Sequence, residues 1–453
     1  MHDGTIVALA TPRGASAVAV VRISGDLCVS LFGILSKKSD FFPKTFYRAS
    51  YVSIDGKVID DVLAVFFANP NSYTGEDAIE VYCHGNMLIV EKILEDLCLR
   101  GCRLAEPGEF TKRAFLNRKL DLCQAEAVAD VIHGTNACAV SIAQKQLSGS
   151  LSEKINHLSV GLVNLLASIE KEIDFSDDDA TDDIFFQSVS SKIEKFSDEL
   201  DTLICSNKYR SAVDRGIITT ILGPPNAGKS SLFNFLLGKD RAIVSSIPGT
   251  TRDLVSEEIT VGDTILKLWD TAGFCDHCAC EIEKIGMDKA AVMAKNAGLF
   301  LIVADVNAKK SPELPQEIVD LLNNKNSLLV LNKIDLPRVF DWNCFLPTID
   351  RIEISLKNSK NVKFLRDKIK AIISRGDFLP DSMDIVVNSR HMDILRRANE
   401  SLLSAMLALT QSQAIEIAAA NIRRALEILG EIVGAHSTER VLDVVFSNFC
   451  IGK

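Results

Sequence analysis

Residues 223–230 read Gly-Pro-Pro-Asn-Ala-Gly-Lys-Ser. Before them, Ile217–Leu222 is a short β-branched run of strand type; after them, residues 231–237 carry apolar side chains at helical spacing and stop at Gly238. Strand, glycine loop and helix in that order are the setting a phosphate-binding loop requires. Gly223 and Gly228 let the backbone curl so that its N–H groups and the helix N-terminus point at phosphate oxygens. Lys229 then reaches the β and γ phosphates, the Ser230 hydroxyl holds Mg²⁺, and Asn226, Ala227 and Ser231 complete the loop. An ordinary glycine turn needs neither flank.

The base is specified further along. A buried-type run, Ser327 to Leu331, leads into Asn332-Lys333-Ile334-Asp335. In this pattern the aspartate accepts from both guanine N1–H and the 2-amino group. Adenine offers no such donor pair, so an aspartate left unpaired rejects it. Asn332 is expected at the guanine edge, with the Lys333 stem on the base plane. After a phosphate loop and a strand, a plain turn is the poorer reading, and the expected nucleotide is GTP.

Two elements fall between them. Asp270-Thr271-Ala272-Gly273 ends the strand-like run Thr264–Trp269, which places the aspartate in the Mg²⁺ water shell and the glycine N–H near the γ-phosphate. Gly249-Thr250-Thr251-Arg252-Asp253 supplies Thr251 as a second Mg²⁺ ligand in a switch loop. Ser355-Leu356-Lys357 has the character of a last guanine-contacting loop. Five elements in order define a Ras-like P-loop GTPase domain over residues 213–374. The glutamine that follows D-x-x-G in Ras-like proteins is replaced by Phe274, which cannot orient water, and the phosphate loop holds Asn226 rather than an arginine. Two readings of Asn226 stand at this point: its oxygen coordinates K⁺ beside the phosphates, or it only caps the loop.

With 453 residues the chain exceeds one core and is expected to form two to four domains. A net charge of −10 argues against a generic nucleic-acid coat, so any RNA contact must use local basic patches. No apolar run reaches ~20 residues and no basic-apolar leader is visible, from which a soluble, cytoplasmic protein without membrane association is expected. Twelve scattered cysteines without a secretory signal fit a reducing compartment. Cys275, Cys278 and Cys280 with His277 suggest zinc, but a closed tetrahedral site there would freeze a switch loop.

Outside the GTPase segment, the first 116 residues mix strand-type runs (18–23, 62–67, 78–82) with two helical stretches, an α+β pattern. Helical periodicity then runs from Asp121 to about Phe175 and over 185–205, interrupted by an acidic run at 177–183. It returns over 392–433, where Ile394, Ala398, Leu402, Ala405 and Leu409 form a stripe more simply read as core than as a functional surface. Neither helical portion can leave that surface in water. One helical domain built from both, with the GTPase domain inserted, is the simplest solution.

The remaining motifs carry a resemblance. The ending Phe449-Cys450-Ile451-Gly452-Lys453 resembles that of the tRNA-modification GTPases of the MnmE or TrmE family. So do Thr5-Ile6-Val7-Ala8-Leu9-Ala10-Thr11-Pro12, Val21-Arg22-Ile23-Ser24-Gly25, Ser72-Tyr73-Thr74-Gly75-Glu76-Asp77, the run from Glu106 to Asn117, and Lys119-Leu120-Asp121-Leu122. The likeness spans essentially the whole chain. It implies α/β and α+β domains in this order: an N-terminal α+β folate-binding and dimerisation domain (1–117), a helical domain in two parts (118–212 and 375–453), and the GTPase domain between them. It also implies a homodimer, a heterotetramer with the FAD- and NADH-using partner MnmG (GidA), and a tetrahydrofolate derivative, 5-formyl or 5,10-methylene, as one-carbon donor. Together these would install an aminomethyl or carboxymethylaminomethyl group at C5 of the wobble uridine, position 34, of certain tRNAs. By motif match the folate positions are Arg22, Glu80, Lys119 and Lys453; Arg and Lys suit glutamate carboxylates and Glu suits the pterin donors.

The family's K⁺ stimulation favours the cation reading of Asn226, with Ser245, Ile247 and Thr250 as further K⁺ ligands in the loop that also contains Ser246, Pro248, Gly249 and Thr251. Glu283, in Glu281-Ile282-Glu283-Lys284, aligns with the family's water-orienting acid. The chain departs from the pattern at 274–280, which is cysteine-rich, lacks the usual Arg-Glu pair and is one residue longer, and at Ala435-His436. Cys450 admits two readings: its thiolate adds to C6 of the uracil, or it packs beside the folate while the partner's flavin carries the chemistry. Against the leading expectation stand a ribosome-assembly or signalling switch GTPase, opposed by Arg22, Glu80 and the C-terminal motif, and a folate scaffold with a decayed GTPase, opposed by Lys229, Ser230, Asp270 and Asp335.

Overall fold

A computed structural model describes residues 4–37, 40–175, 183–238, 256–262, 264–269, 297–312, 314–376, 378, 385–412, 414–435, 439–447 and 449–453. In chain order the strands are β1 (Ile6–Leu9), β2 (Ser16–Ser24), β3 (Phe46–Val52), β4 (Val58–Phe67), β5 (Ala78–Gly85), β6 (Arg103–Leu104), β7 (Ile217–Leu222), β8 (Ser256–Val261), β9 (Thr264–Trp269), β10 (Leu299–Asp305), β11 (Ser327–Asn332) and β12 (Asp350–Glu353). The helices are α1 (Cys28–Ser36), α2 (Met87–Leu99), α3 (Glu109–Leu116), α4 (Leu122–His133), α5 (Ala137–Leu147), α6 (Ser150–Phe175), α7 (Asp183–Ser206), α8 (Arg210–Arg215), α9 (Lys229–Leu237), α10 (Gln316–Val319), α11 (Lys363–Arg375), α12 (Ser389–Ser412), α13 (Ile415–Val433) and α14 (Glu439–Ser447).

The chain forms two compact units, one of residues 1–133, 143–201 and 390–453, the other of 134–142 and 202–389. In the first, a sheet of order β3-β4-β5-β2-β1-β6 is antiparallel except for the β1–β6 pair. Its alternating apolar residues, among them Val21, Ile23, Ile79 and Val81, meet Phe32 of α1 and Val90, Ile93 and Leu97 of α2. The register sets Arg22 directly opposite Glu80. The helical portions on either side of the nucleotide unit pack together: Ser197 donates to Asn399 (2.7 Å), and Arg423 pairs with Glu170 (2.5 Å). Ile394, Ala398, Leu402, Ala405 and Leu409 are all buried, as the stripe predicts.

The second unit is a parallel sheet of order β12-β11-β10-β7-β9-β8 with β8 antiparallel at the edge. Continuous apolar strands such as Leu299–Asp305 mark a sheet covered on both faces. One face packs on α9 and α11 through Leu232, Leu236, Leu365 and Ile369; the other meets Trp342, Ile318 and Ile349.

Several elements differ from the sequence reading. The helical run from Asp121 breaks into α4, α5 and α6, and the run at 392–433 breaks at 412/415. Among the described residues the N-terminal part holds three helices rather than two. Residues 134–142, 202–212 and the described part of 375–389, expected in the helical domain, lie in the nucleotide unit. Side chains bonding to backbone hold them there: Asn136 Nδ2 donates to Val213 O (2.7 Å) and Asn207 Nδ2 to Val387 O (2.8 Å).

Candidate functional site

The phosphate loop leaves the end of β7 where the strand order reverses, with β10 on one side and β9 on the other; parallel sheets place their ligand crevices at such a point. Gly223 has φ +147°, and a Cβ there would lie 2.2 Å from Val303 O of β10, so only glycine lets the loop begin. Asn226 adopts φ +62°. Gly228 has φ +101°, and its Cβ position is 2.3 Å from Asn332 Nδ2. That close approach has a purpose: Asn332 Nδ2 donates to Ala227 O (3.0 Å), while its Oδ1 accepts from Leu356 N (3.2 Å). Asn332 is buried at 3 % exposure and ties the phosphate loop to the 355–357 loop, a positioning role beside the guanine contact expected of it.

Lys229 opens α9 and donates from Nζ to Pro224 O (2.9 Å), so the ammonium lies across the loop with Ser230 and Ser231 behind it in the first turn. On the far side, Asp335 Oδ1 accepts from Ser355 Oγ (2.5 Å). That hydrogen bond is the main cause holding the carboxyl below its usual range, so the ionised acceptor that a guanine would need is favoured. Lys333 has φ +65° and donates to Asp305 Oδ2 (2.7 Å) at the end of β10. Asp305 was invisible to motif reading. Its signal would have been its place at the C-terminal end of a parallel strand. Asn226, Lys229, Ser230, Lys333, Asp335 and Lys357 line one open cleft of about 770 Å³. Ser245, Ser246, Ile247, Pro248, Gly249, Thr250, Thr251, Asp270, Thr271, Ala272, Gly273, Glu283 and the cysteines at 275, 278 and 280 lie outside the described residues.

A second constellation lies in the other unit. Arg22 donates from Nε and Nη2 to Glu80 Oε1 (3.0 and 2.8 Å) and from Nη1 to Gly452 O (3.4 Å). Its guanidinium lies between the Tyr73 and Phe110 rings, 5.5 and 5.8 Å from their centroids. Tyr82 donates to Glu80 Oε2 (2.8 Å), which fixes the carboxylate at both oxygens. Gly452, at φ +94°, has its Cβ position 2.3 Å from Leu9 O, so the chain end closes onto β1 only with glycine. Burial, and then the charge of Arg22, push the Lys453 ammonium down from its ordinary value. Three of the four positions named by resemblance thus converge. Lys119 instead donates to Pro70 O (3.0 Å), with its stem against Gly75, on the loop that carries Tyr73. Cys450 Sγ lies 3.7 Å from His133 Nε2. Tyr73, Phe110, Tyr82 and His133 were not singled out from sequence; for Tyr82 the signal would have been the two-residue alternation along β5, which sets it on the same face as Glu80.

Among the described residues no helix is long and apolar enough to cross a membrane, and no group of three metal-ligating side chains occurs.

Comparison with known proteins covers the whole chain. Residues 5–119 match the family described as GTP-binding protein TrmE N-terminus, and residues 122–450 match the MnmE helical domain. The tRNA modification GTPase MnmE of Opitutus terrae is 41% identical over 456 residues, covering 100% of this chain and 99% of that protein. Its counterparts of the same description in Clostridioides difficile (39% over 460 residues; 100% and 99%) and Finegoldia magna (38% over 455 residues; 100% of both) are similar throughout.

Proposed function

The chain belongs to the MnmE family of tRNA modification GTPases and is a GTP hydrolase acting in tRNA modification; from that premise we propose that it couples K⁺-assisted GTP turnover to a folate-dependent step at C5 of the wobble uridine. It would work as a homodimer with the FAD-binding partner MnmG, with tRNA as substrate. Ser230 and Thr251 hold Mg²⁺. Asn226, with Ser245, Ile247 and Thr250, holds K⁺, whose charge stands in for the missing arginine. Glu283 orients the attacking water.

A reduced folate, when bound, supplies the one-carbon unit. The observation that carries this reading is the convergence of Arg22, Glu80 and Lys453. Two cations meet one carboxylate in a partly desolvated place, and the Lys453 ammonium is held below its ordinary value by burial and by Arg22. An added carboxylate relieves that excess of positive charge, which suits the anionic tail of a folate. Glu80, fixed by Arg22 and Tyr82, presents an acceptor suited to pterin N–H groups. Lys119 fits less directly, since its ammonium is engaged with Pro70 O. Cys450 is the proposed nucleophile.

Calorimetric titration with 5-formyltetrahydrofolate tests the assignment. Arg22→Ala should weaken binding by about 1.5–3 kcal/mol, the worth of a charge-assisted hydrogen bond. Wobble-uridine modification, read by mass spectrometry of tRNA, should fall with it while GTP hydrolysis holds. Unchanged folate affinity would remove the folate assignment.

A further inference from the structure

Cys450 is held in place from both sides. Phe446 and Phe449 are buried against Leu122, Ala125 and Val128 of α4, and Gly452 is locked on β1. Lys453 N donates to Cys450 O (3.3 Å), closing a turn around the cysteine. Between these anchors the Cys450 side chain stays exposed, 3.7 Å from Nε2 of His133, the last residue of α4. The same helix therefore carries the apolar cradle for the chain end and the imidazole that meets its thiol. The other thiols differ. Cys28, Cys83, Cys102 and Cys123 are buried, and burial pushes each of them up. Cys344 is exposed, and its Sγ meets the Asp341 carboxylate at 3.8 Å rather than an imidazole. Among the described residues, Cys450 is the exposed cysteine that the structure pairs with an imidazole.

We propose that His133 is the positioning base of Cys450: Nε2 takes the Sγ proton, giving a thiolate–imidazolium pair held ready for a carbon electrophile. This rests on the reading of Cys450 above. For a pyrimidine ring beside the Arg22–Glu80 site, the sulfur lone pair forms the S–C6 bond and the C5=C6 π pair moves through C5 onto O4. The thiol proton stays on His133, and nothing is oxidised or reduced. The enolate so formed is nucleophilic at C5. Holding thiol and base in one fixed geometry removes the orientational cost of each encounter.

Site-resolved alkylation of the full-length protein by iodoacetamide at neutral pH, read by peptide mass spectrometry, tests the pair without any tRNA. Cys450 should react about tenfold faster in the parent than in His133→Gln, while Cys205 and Cys344 keep their rates as internal standards. His133 is exposed at a helix end, so the variant should fold as the parent does. Equal Cys450 rates in parent and variant overturn the inference. A second readout separates it from the reading beneath it: release of tritium from C5 of the wobble uridine in a labelled tRNA transcript, with the partner and 5,10-methylenetetrahydrofolate present. Slower alkylation in His133→Gln with no tritium release from the parent would keep the thiol–imidazole pair and discard addition to uracil. Tritium release that is lost in the variant supports both.

Discussion

At residue 228 the backbone comes so close to the Asn332 amide that no side chain fits between them. The sequence places glycine at 228 because a phosphate loop needs backbone N–H groups facing outward. The structure adds that any Cβ there would strike Asn332 Nδ2, so the glycine also lets the base loop brace the phosphate loop. Asp335 carries the sharpest consequence at this scale. Its Oδ1 is held by Ser355 and its carboxyl stays ionised, leaving an acceptor for two guanine donors. Asp335→Asn should weaken GTP binding and favour xanthine nucleotide, because the amide supplies a donor where guanine also supplies one. Competition between GTP and XTP decides it; unchanged GTP affinity would mean that guanine is read elsewhere. Such assignments were legible because each motif residue acts within a few positions of its neighbours. Arg22, Glu80 and Gly452 were legible only through resemblance, since sequence spacing does not announce a contact across 430 residues.

Helix α4 joins the chain end to the helices that follow the nucleotide unit. One face, through Leu122, Ala125 and Val128, receives Phe446 and Phe449; the other presents Glu126 to Arg390 and His391. Arg390 also donates to Glu431 O and Ile432 O, which closes the carbonyl end of α13. Burial alone would raise the Glu126 carboxyl, but hydrogen bonds and charge from His391, then Arg390, outweigh it and bring it down to about 2. A carboxyl depressed in the folded state stabilises above its unfolded value and loses that contribution as pH falls toward the folded one. From the ordinary 4.5 to about 2 the loss is on the order of 3 kcal/mol. Urea midpoints of the parent should therefore fall more steeply between pH 4.5 and 2 than those of Glu126→Gln. Parallel profiles would show that the clamp contributes no linkage. Periodicity found these helices but misplaced their ends. Gly134 and Gly149 interrupt runs whose apolar spacing continues across the break, and β1 and β3 escaped because a four-residue strand and a half-exposed edge strand give little alternation to read.

Across the whole molecule, the chain's first and last residues build one site and its middle builds another, in two compact units. That separation predicts that each activity can be removed alone. Gly452→Ala would force a Cβ to within 2.3 Å of Leu9 O at a φ of +94°, so the C-terminal turn must open, taking Lys453 from Arg22 and Cys450 from His133. Wobble-uridine modification should collapse, while GTP hydrolysis and its dependence on the monovalent cation stay as in the parent. Replacing K⁺ by Na⁺ should act on the other unit first. Hydrolysis should slow by about tenfold or more with GTP still bound, because cation charge matters mainly as the γ-phosphate departs. Asn226→Ala should erase the difference between the two salts. The two perturbations can be crossed in one experiment, with GTP turnover and modified uridine measured for parent and Gly452→Ala in each salt. If Gly452→Ala changed the K⁺-to-Na⁺ ratio of hydrolysis, the nucleotide site would depend on the chain end and the two activities could not be assigned to separate units. If Na⁺ left hydrolysis untouched, Asn226 would be a loop cap and the missing transition-state charge would have to come from another residue.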